Sequence, residues 1–287
     1  MRRDPARAAA ARAAAAPPPL VEGTAAGLAA LVGLAPSEVL WRRLARCARL
    51  LPALRLDRPD IDDPAWAAVI DAVTVQETRL FRQPALLAAV EAAVLPALRA
   101  AAAREGRRSL RLISAGCATG EEAYTLSMLA RWPPCGGRPR GAAMAEVLGL
   151  DLSRPALAVA EAAAYPLGVP DPARDVPARY RAMLEEHDGA VRPIGPVRAA
   201  VRFARANLLA APVAPLLAGA DLVMCRNVLI YLEGEARAAV VAGLVDALRP
   251  GGALVLGPTD RPPPGLPLAP WGGGLMGVWR RIGGADG

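Results

Sequence analysis

Two glycines and two carboxylates share one short turn of this sequence, Ser114-Ala115-Gly116-Cys117-Ala118-Thr119-Gly120-Glu121-Glu122. Gly116 and Gly120 let the main chain pass close to a bound molecule, and the turn opens a helix. A phosphate cradle would carry Gly-Lys-Ser/Thr here. Glu121 and Glu122 stand at the helix start instead, where they repel phosphate and attract an ammonium group. The alternative is that the two glutamates do no more than complement the helix dipole. Asp151 closes Gly-Leu-Asp-Leu-Ser, a place from which a carboxylate can accept hydrogen bonds from both hydroxyls of a ribose. Asn207 ends Val-Arg-Phe-Ala-Arg-Ala-Asn and is suited either to an adenine edge or to a turn.

These residues fall where an alternating pattern of strands and helices would put them. Short apolar runs at 110–115, 146–151, 201–207, 220–226 and 253–258 read as strands. Helical stretches at 121–132, 154–165 and 234–248 lie between them, the last closed by Arg249-Pro250-Gly251-Gly252. A further strand is expected in 275–282. Such alternation predicts an α/β fold, a mainly parallel sheet with helices on both faces. Ligands bind such sheets beyond the carboxyl ends of the strands, where strand order reverses. Two stretches interrupt the pattern. Residues 133–141 form a Pro/Gly-rich loop, and 165–200 are too long for a structureless link, so a small inserted subdomain is expected there.

Ahead of this lie an alanine-rich tail (1–19), read as disordered, and helical signals over 20–75. In Pro36–Leu54, Val39, Leu40, Leu44 and Cys47 fall at helical spacing, and Arg42, Arg43, Arg46 and Arg49 take the more polar side. That side is either a solvated face or a docking surface for an acidic helix. All 34 basic residues are arginine, ten of them within residues 1–58, and the net charge is +7, which favours acidic partners. Cys47, Cys117, Cys135 and Cys225 make no CxxC pair or metal-ligand spacing, as expected of a reduced, cytoplasmic protein without a metal. His187, the single histidine, sits in a polar stretch and reads as an exposed loop residue. No uninterrupted apolar run reaches the roughly 18 residues of a membrane span.

Four segments in order, Gln76-Glu77-Thr78-Arg79-Leu80-Phe81-Arg82, Thr119-Gly120-Glu121-Glu122-Ala123-Tyr124, Ala206-Asn207-Leu208-Leu209 and Cys225-Arg226-Asn227-Val228-Leu229-Ile230-Tyr231, resemble the motifs of the chemoreceptor glutamate methyltransferases, the CheR family. The resemblance runs from about residue 20 to residue 258. It implies a Rossmann-like methyltransferase domain over 110–287 that uses S-adenosylmethionine, a ligand with an ammonium and a sulfonium and no phosphate. It also implies a small all-α N-terminal domain over 20–75, a linker and cofactor-covering helix over 76–109, and a β-subdomain within 165–200. Carried over by motif, cofactor contacts are expected from Gln76, Thr78, Arg82, Gly116, Glu122, Asp151, Asn207, Leu208, Arg226 and Asn227, with Arg82, Arg226 and Tyr231 on the acceptor side.

The implied reaction is methyl transfer to ionised glutamates on cytoplasmic chemoreceptor helices, which would dock on the basic N-terminal region. A monomer with no nucleic-acid partner and no membrane insertion is expected, and base stacking has little to work with, since Phe81 and Phe203 are the only phenylalanines. The chain departs from the family at Gln76, where asparagine is usual, at Leu80, where phenylalanine is usual, and at Gly257-Pro258-Thr259-Asp260, in place of a Gly-His-Ser-Glu-like run. That last change keeps open a non-catalytic, cofactor-binding regulator, and the basic amino-terminal region permits a methyltransferase for another acceptor.

Overall fold

The computed structural model describes residues 19–131, 144–210, 216–272 and 274–283. Residues 1–18 of the expected tail and all of the 133–141 loop, with Cys135, lie outside the described residues, and Pro19 already belongs to the first helix. Internal contacts divide the chain into two compact units that part between Val73 and Thr74.

The first unit is helical: α1 (Pro19–Val32), α2 (Glu38–Arg46), a 3-10 turn (Ala48–Ala53) and α3 (Pro64–Val73). Ser37 caps α2 by accepting from the Leu40 amide at 3.1 Å, and Asp63 accepts from Ala65 and Trp66 at the start of α3. The helix expected across 36–54 breaks at Cys47, because Pro52 has no amide hydrogen and its ring clashes with the carbonyl a turn earlier. Leu40, Leu44 and Cys47 are buried as their spacing predicts, while Val39 is exposed. Trp66 is wholly buried beneath α1, where a Cβ on Gly27 would lie 2.2 Å from its ring.

The second unit is built on a seven-stranded sheet. Its strands are β1 (Ser109–Ala115), β2 (Met144–Asp151), β6 (Val201–Arg205), β7 (Ala220–Cys225), β8 (Leu248–Leu256), β9 (Leu268–Pro270) and β10 (Val278–Arg281). They run in the order β6-β2-β1-β7-β8-β10-β9, the first five parallel and the last two antiparallel. Side chains alternate between two cores. Leu110, Leu112, Leu222 and Met224 face α4 (Pro84–Arg104) and α5 (Glu121–Arg131), and Ile113, Ala115, Val223 and Cys225 face α7 (Gly234–Ala247). The expected Rossmann-like sheet with helices on both faces is therefore present.

Three elements differ from expectation. The 154–165 helix, α6 (Arg154–Ala162), stops early: Ala163 turns left-handed, and Tyr165 opens β3 (Tyr165–Pro166) with its hydroxyl donating to Thr119 O. The fifth parallel strand starts at Leu248, not 253. Arg249–Gly252 bulge out of its pairing with β7, which resumes at Leu222 opposite Ala253. His187 is exposed as expected but ends β4 (Leu184–His187) and does not lie in a loop. With β5 (Ala190–Pro193), strands β3 and β4 form a three-stranded antiparallel sheet, the inserted subdomain.

Helix α4 is long and apolar enough to cross a membrane by length and composition alone. Leu87, Val90, Val94, Leu95, Leu98 and Ala102 instead lie in the core with β1 and α5, so it is a core helix of this unit. A π-helical segment, Val90–Val94, lets Pro96 into its interior.

In the first unit, Trp66→Ala removes the largest buried side chain and leaves a cavity under Gly27. It is expected to destabilise that unit by about 3–5 kcal/mol, read from the shift of its urea unfolding midpoint.

Candidate functional site

Strand order reverses between β1 and β7, the place where sheets of this kind take a ligand, and Ala115, Cys225 and, one strand over, Asp151 end their strands there. The main chain is brought in close there. Gly116 has φ +76° and a Cβ on it would stand 2.3 Å from Val228; at Gly120, with φ +93°, a Cβ would meet Ala160 at 2.7 Å. Only glycine fits both positions, which is what leaves the ends of β1 and β7 free to accept a ligand against bare backbone.

Beneath that turn lies a buried ion pair. Arg226 Nε donates to Glu122 Oε2 at 2.8 Å, and Ser114 donates to Glu122 Oε1, also at 2.8 Å. Arg226 Nη1 goes on to Arg82 O at 2.6 Å and Gln83 Oε1 at 3.2 Å. The structure thus brings together Glu122, Arg226 and the main chain of Arg82 from three distant segments. Arg226, expected on the acceptor side, has its Nε and Nη1 hydrogens turned into the wall of the site. The Arg82 side chain turns back on its own segment, with Nη1 donating to Glu77 O at 2.7 Å. Tyr231 is half-buried on the 3-10 turn Leu229–Tyr231. Among the described residues no hydrogen bond joins its hydroxyl to Arg82 or Arg226.

A second group gathers at the end of β2. Asp151 Oδ2 accepts from the Ala118 amide at 2.8 Å, and Oδ1 accepts from Ser153 N at 2.9 Å. Gln76 Nε2 donates to Ser153 Oγ at 2.8 Å, so the amide that stands for the family's asparagine reaches the same corner. Asn207 follows Ala206, whose amide donates to Asp151 O, and its Oδ1 accepts from Leu209 N in a tight local turn. Leu208 packs against the core cluster that includes Leu150 and Val223, and Thr78 is half-buried. Asn227 adopts a left-handed backbone (φ 59°), and its Oδ1 is buried without a hydrogen-bond partner.

Burial raises the carboxyls of Asp151 and Glu121 above the usual range, against the amide and hydroxyl donors that hold them ionised. Burial likewise pushes up the thiols of Cys117 and Cys225, with Asp151 and Glu122 adding to the first and Glu122 and Asp260 to the second. Neither is a thiolate nucleophile. Among the described residues no group of three or more His, Cys, Asp or Glu could hold a metal ion.

Four residues that motif reading did not single out complete the site. Ser114 and Gln83 satisfy the ion pair, Ser153 receives Gln76, and Asp260 is buried after β8 with Oδ2 unpartnered. The first two adjoin motif positions, and Ser153 with Pro155 is a recognisable helix start. Asp260 lies in the run where the chain departs from the family. Its carboxylate folds onto Gly257, where a Cβ would come within 2.6 Å of Oδ2.

These features fit S-adenosylmethionine. A bare-glycine turn, an acid for a ribose, an unpartnered buried amide oxygen for a donor, and no phosphate ligand suit a cationic nucleoside. Residues 76–264 match the family model described as CheR methyltransferase, SAM binding domain. Chemotaxis protein methyltransferase 1 of Pseudomonas aeruginosa is 32% identical over 203 residues, 67% of this chain and 68% of that protein. An uncharacterized 104.1 kDa protein of Rhodobacter capsulatus is 32% identical over 208 residues, 69% of this chain but 20% of its own length. The chain spans 43% of a third relative, named probable biofilm formation methyltransferase WspC, of Pseudomonas aeruginosa, at 32% identity over 204 residues and 67% of this chain. Among solved structures, an S-adenosylmethionine dependent methyltransferase from Mesorhizobium loti is 23% identical with a TM-score of 0.30, covering 56% of this chain and 51% of its own.

Asp260 gives a pH test. Burial raises its carboxyl against the pull of Arg237 and Arg261. The folded protein therefore keeps a proton on it at a pH where the unfolded chain has released one, and stability falls as pH rises through the folded value. Asp260→Asn removes that loss. The variant is expected to unfold at higher urea than wild type near neutral pH, with the advantage shrinking on acidification toward the usual Asp range of about 4. Equal midpoints at neutral pH would refute it.

Proposed function

The chain belongs to the CheR methyltransferase family, and on that premise we propose that this S-adenosylmethionine-dependent methyltransferase forms methyl esters on glutamate side chains of chemoreceptor cytoplasmic domains, acting in the cytoplasm. The observation that carries the reading is the arginine arrangement at the crevice. Arg226 is committed to Glu122 and to the main chain of Arg82, and Arg82 is thereby held at the crevice wall with its guanidinium on a local carbonyl it can leave. This supports an anionic acceptor.

S-adenosylmethionine, when bound, supplies an electrophilic methyl on a sulfonium. The acceptor glutamate is ionised at neutral pH, with a solution pKa near 4.3, so no residue of this chain has to remove a proton. That accords with a site that has no histidine and two neutral thiols. Arg82 would hold one oxygen of the acceptor carboxylate and leave the other free to take the methyl group that the cofactor would supply. Opposite charges cancel in this step, so exclusion of water from the carboxylate favours it. Asp151 and Gln76 hold the cofactor's ribose end, and Glu122 and Asn227 line its amino-acid end. Arg226 acts through the position it gives Glu122 and Arg82. Tyr231 adds a hydroxyl on the acceptor side. Exposed Arg42, Arg46 and Arg49 support an acidic helical partner for the first unit.

The deciding experiment incubates the protein with methyl-labelled cofactor and cytoplasmic receptor fragments and asks for base-labile methyl ester. Label that resists base, or no transfer, overturns the reading. Arg82→Ala is expected to stay folded and to lose transfer by about a hundredfold or more, and full activity would remove Arg82 from the mechanism. Asp151→Ala is expected to weaken cofactor binding at least about tenfold by calorimetry, the loss of roughly one charge-assisted hydrogen bond; unchanged affinity would place the ribose elsewhere.

A further inference from the structure

The segment that carries Arg82 is held in a conformation its own residues disfavour. Phe81 and Gln83 both sit in the left-handed region, with φ of 56° and 63°, and neither is glycine. Such residues persist only where the surroundings over-determine them. One set of restraints comes from the core: the Phe81 amide donates to Thr125 Oγ1 at 3.1 Å, and Arg226 holds Arg82 O and Gln83 Oε1. The other set comes from the inserted subdomain, nearly a hundred residues away in sequence. Arg79 Nε pairs with Asp175 Oδ2, both side chains largely shielded from solvent. The Phe81 ring lies on Tyr180 with centroids 4.7 Å apart, and both rings are buried. Arg179 stacks over Tyr180 at 4.9 Å and binds buried Glu91 on the π segment of α4 at 2.5 Å.

We propose that Asp175 and Tyr180 of the inserted subdomain are positioning residues for methyl transfer, holding the strained Arg79–Gln83 segment, and with it Arg82, in place to receive the acceptor carboxylate. The proposal rests on the reading that Arg82 faces the acceptor. Residues 79 and 81 both lie just ahead of Arg82, two apart. Each is gripped from the subdomain side, while the residues the core grips are 81, 82 and 83. Neither set alone fixes both ends of the segment. The subdomain is thus one jaw of the site, and what moves it moves Arg82.

The test is Asp175→Asn, which keeps the side chain's volume and removes its charge. Amide hydrogen exchange at Leu80–Gln83 in the product-bound protein is expected to quicken at least tenfold, with exchange in α5 and the central strands unchanged. The affinity for S-adenosylhomocysteine is expected to stay within twofold, and kcat for receptor-fragment methylation to fall about tenfold. The charge-reversed pair Arg79→Asp with Asp175→Arg is expected to regain protection and most of kcat. Tyr180→Leu, which removes the ring stack, should act in the same direction. Unchanged exchange at Leu80–Gln83 in Asp175→Asn overturns the proposal, and so does a uniform rise across the second unit, since that marks a merely structural role. Should wild type transfer nothing to receptor fragments, the acceptor reading fails by itself, and the exchange data still decide whether the subdomain holds this segment.

Discussion

The buried pair between Glu122 and Arg226 is the interaction on which the rest of the site depends. Taking two charges out of water costs several kcal/mol per ion, and the attraction offsets this only when the remaining hydrogen-bonding positions are filled. Here Ser114 fills one on Glu122, and Arg82 O with Gln83 Oε1 fill others on Arg226. The contributors come from the end of β1, the first turn of α5, the end of β7 and the lead into α4. Each element is fixed by a long-range contact that satisfies a charge, so none can shift without leaving that charge bare. That is why the crevice has one shape, and why Arg226, an obvious ligand for a carboxylate, is better understood as part of the frame.

Around the frame the sheet is crowded to the limit. Phe203 packs where Gly149 has no side chain, at 2.6 Å from an added Cβ, and also lies edge-on to Tyr124 at 5.6 Å. Gly120 meets Ala160 and the same Phe203. The glycines of the turn therefore do two things. On one side they bring α5 and α6 onto the strands, and on the other they expose bare main chain to the ligand. A side chain at Gly120 would push α6 away and carry the turn with it, so helix packing and ligand approach are one constraint.

Much of this was legible in the sequence. Apolar runs of strand length separated by helical spacing place the parallel strands to within about five residues, most firmly β1 and β7, which are largely buried and have to be apolar, while the edge strand β6 is only partly buried. The Asp151 corner is legible for a similar reason, since an acid at the end of β2 stands out in an apolar run. What could not be read is where a polar side chain spends its hydrogen bonds. Arg226 and Arg82 carry the same chemistry in the sequence, and only their partners separate frame from mouth. The bulge at Arg249–Gly252 reads as a plain helix stop, because its glycines suit a turn equally well and its pairing with β7 is non-local. Nor could the grip of Asp175 on Arg79 be foreseen, across 96 residues and with no periodic pattern in the insertion.

The electrostatics of the crevice explain why a cation belongs in it. Burial lifts the carboxyls of both Glu121 and Asp151, while their amide and hydroxyl donors favour the ionised forms. The one strong internal cation near the turn, Arg226, is already balanced by Glu122. A ligand bearing an ammonium and a sulfonium restores the missing positive charge and favours the ionised acids, so binding and proton release are linked with the same sign.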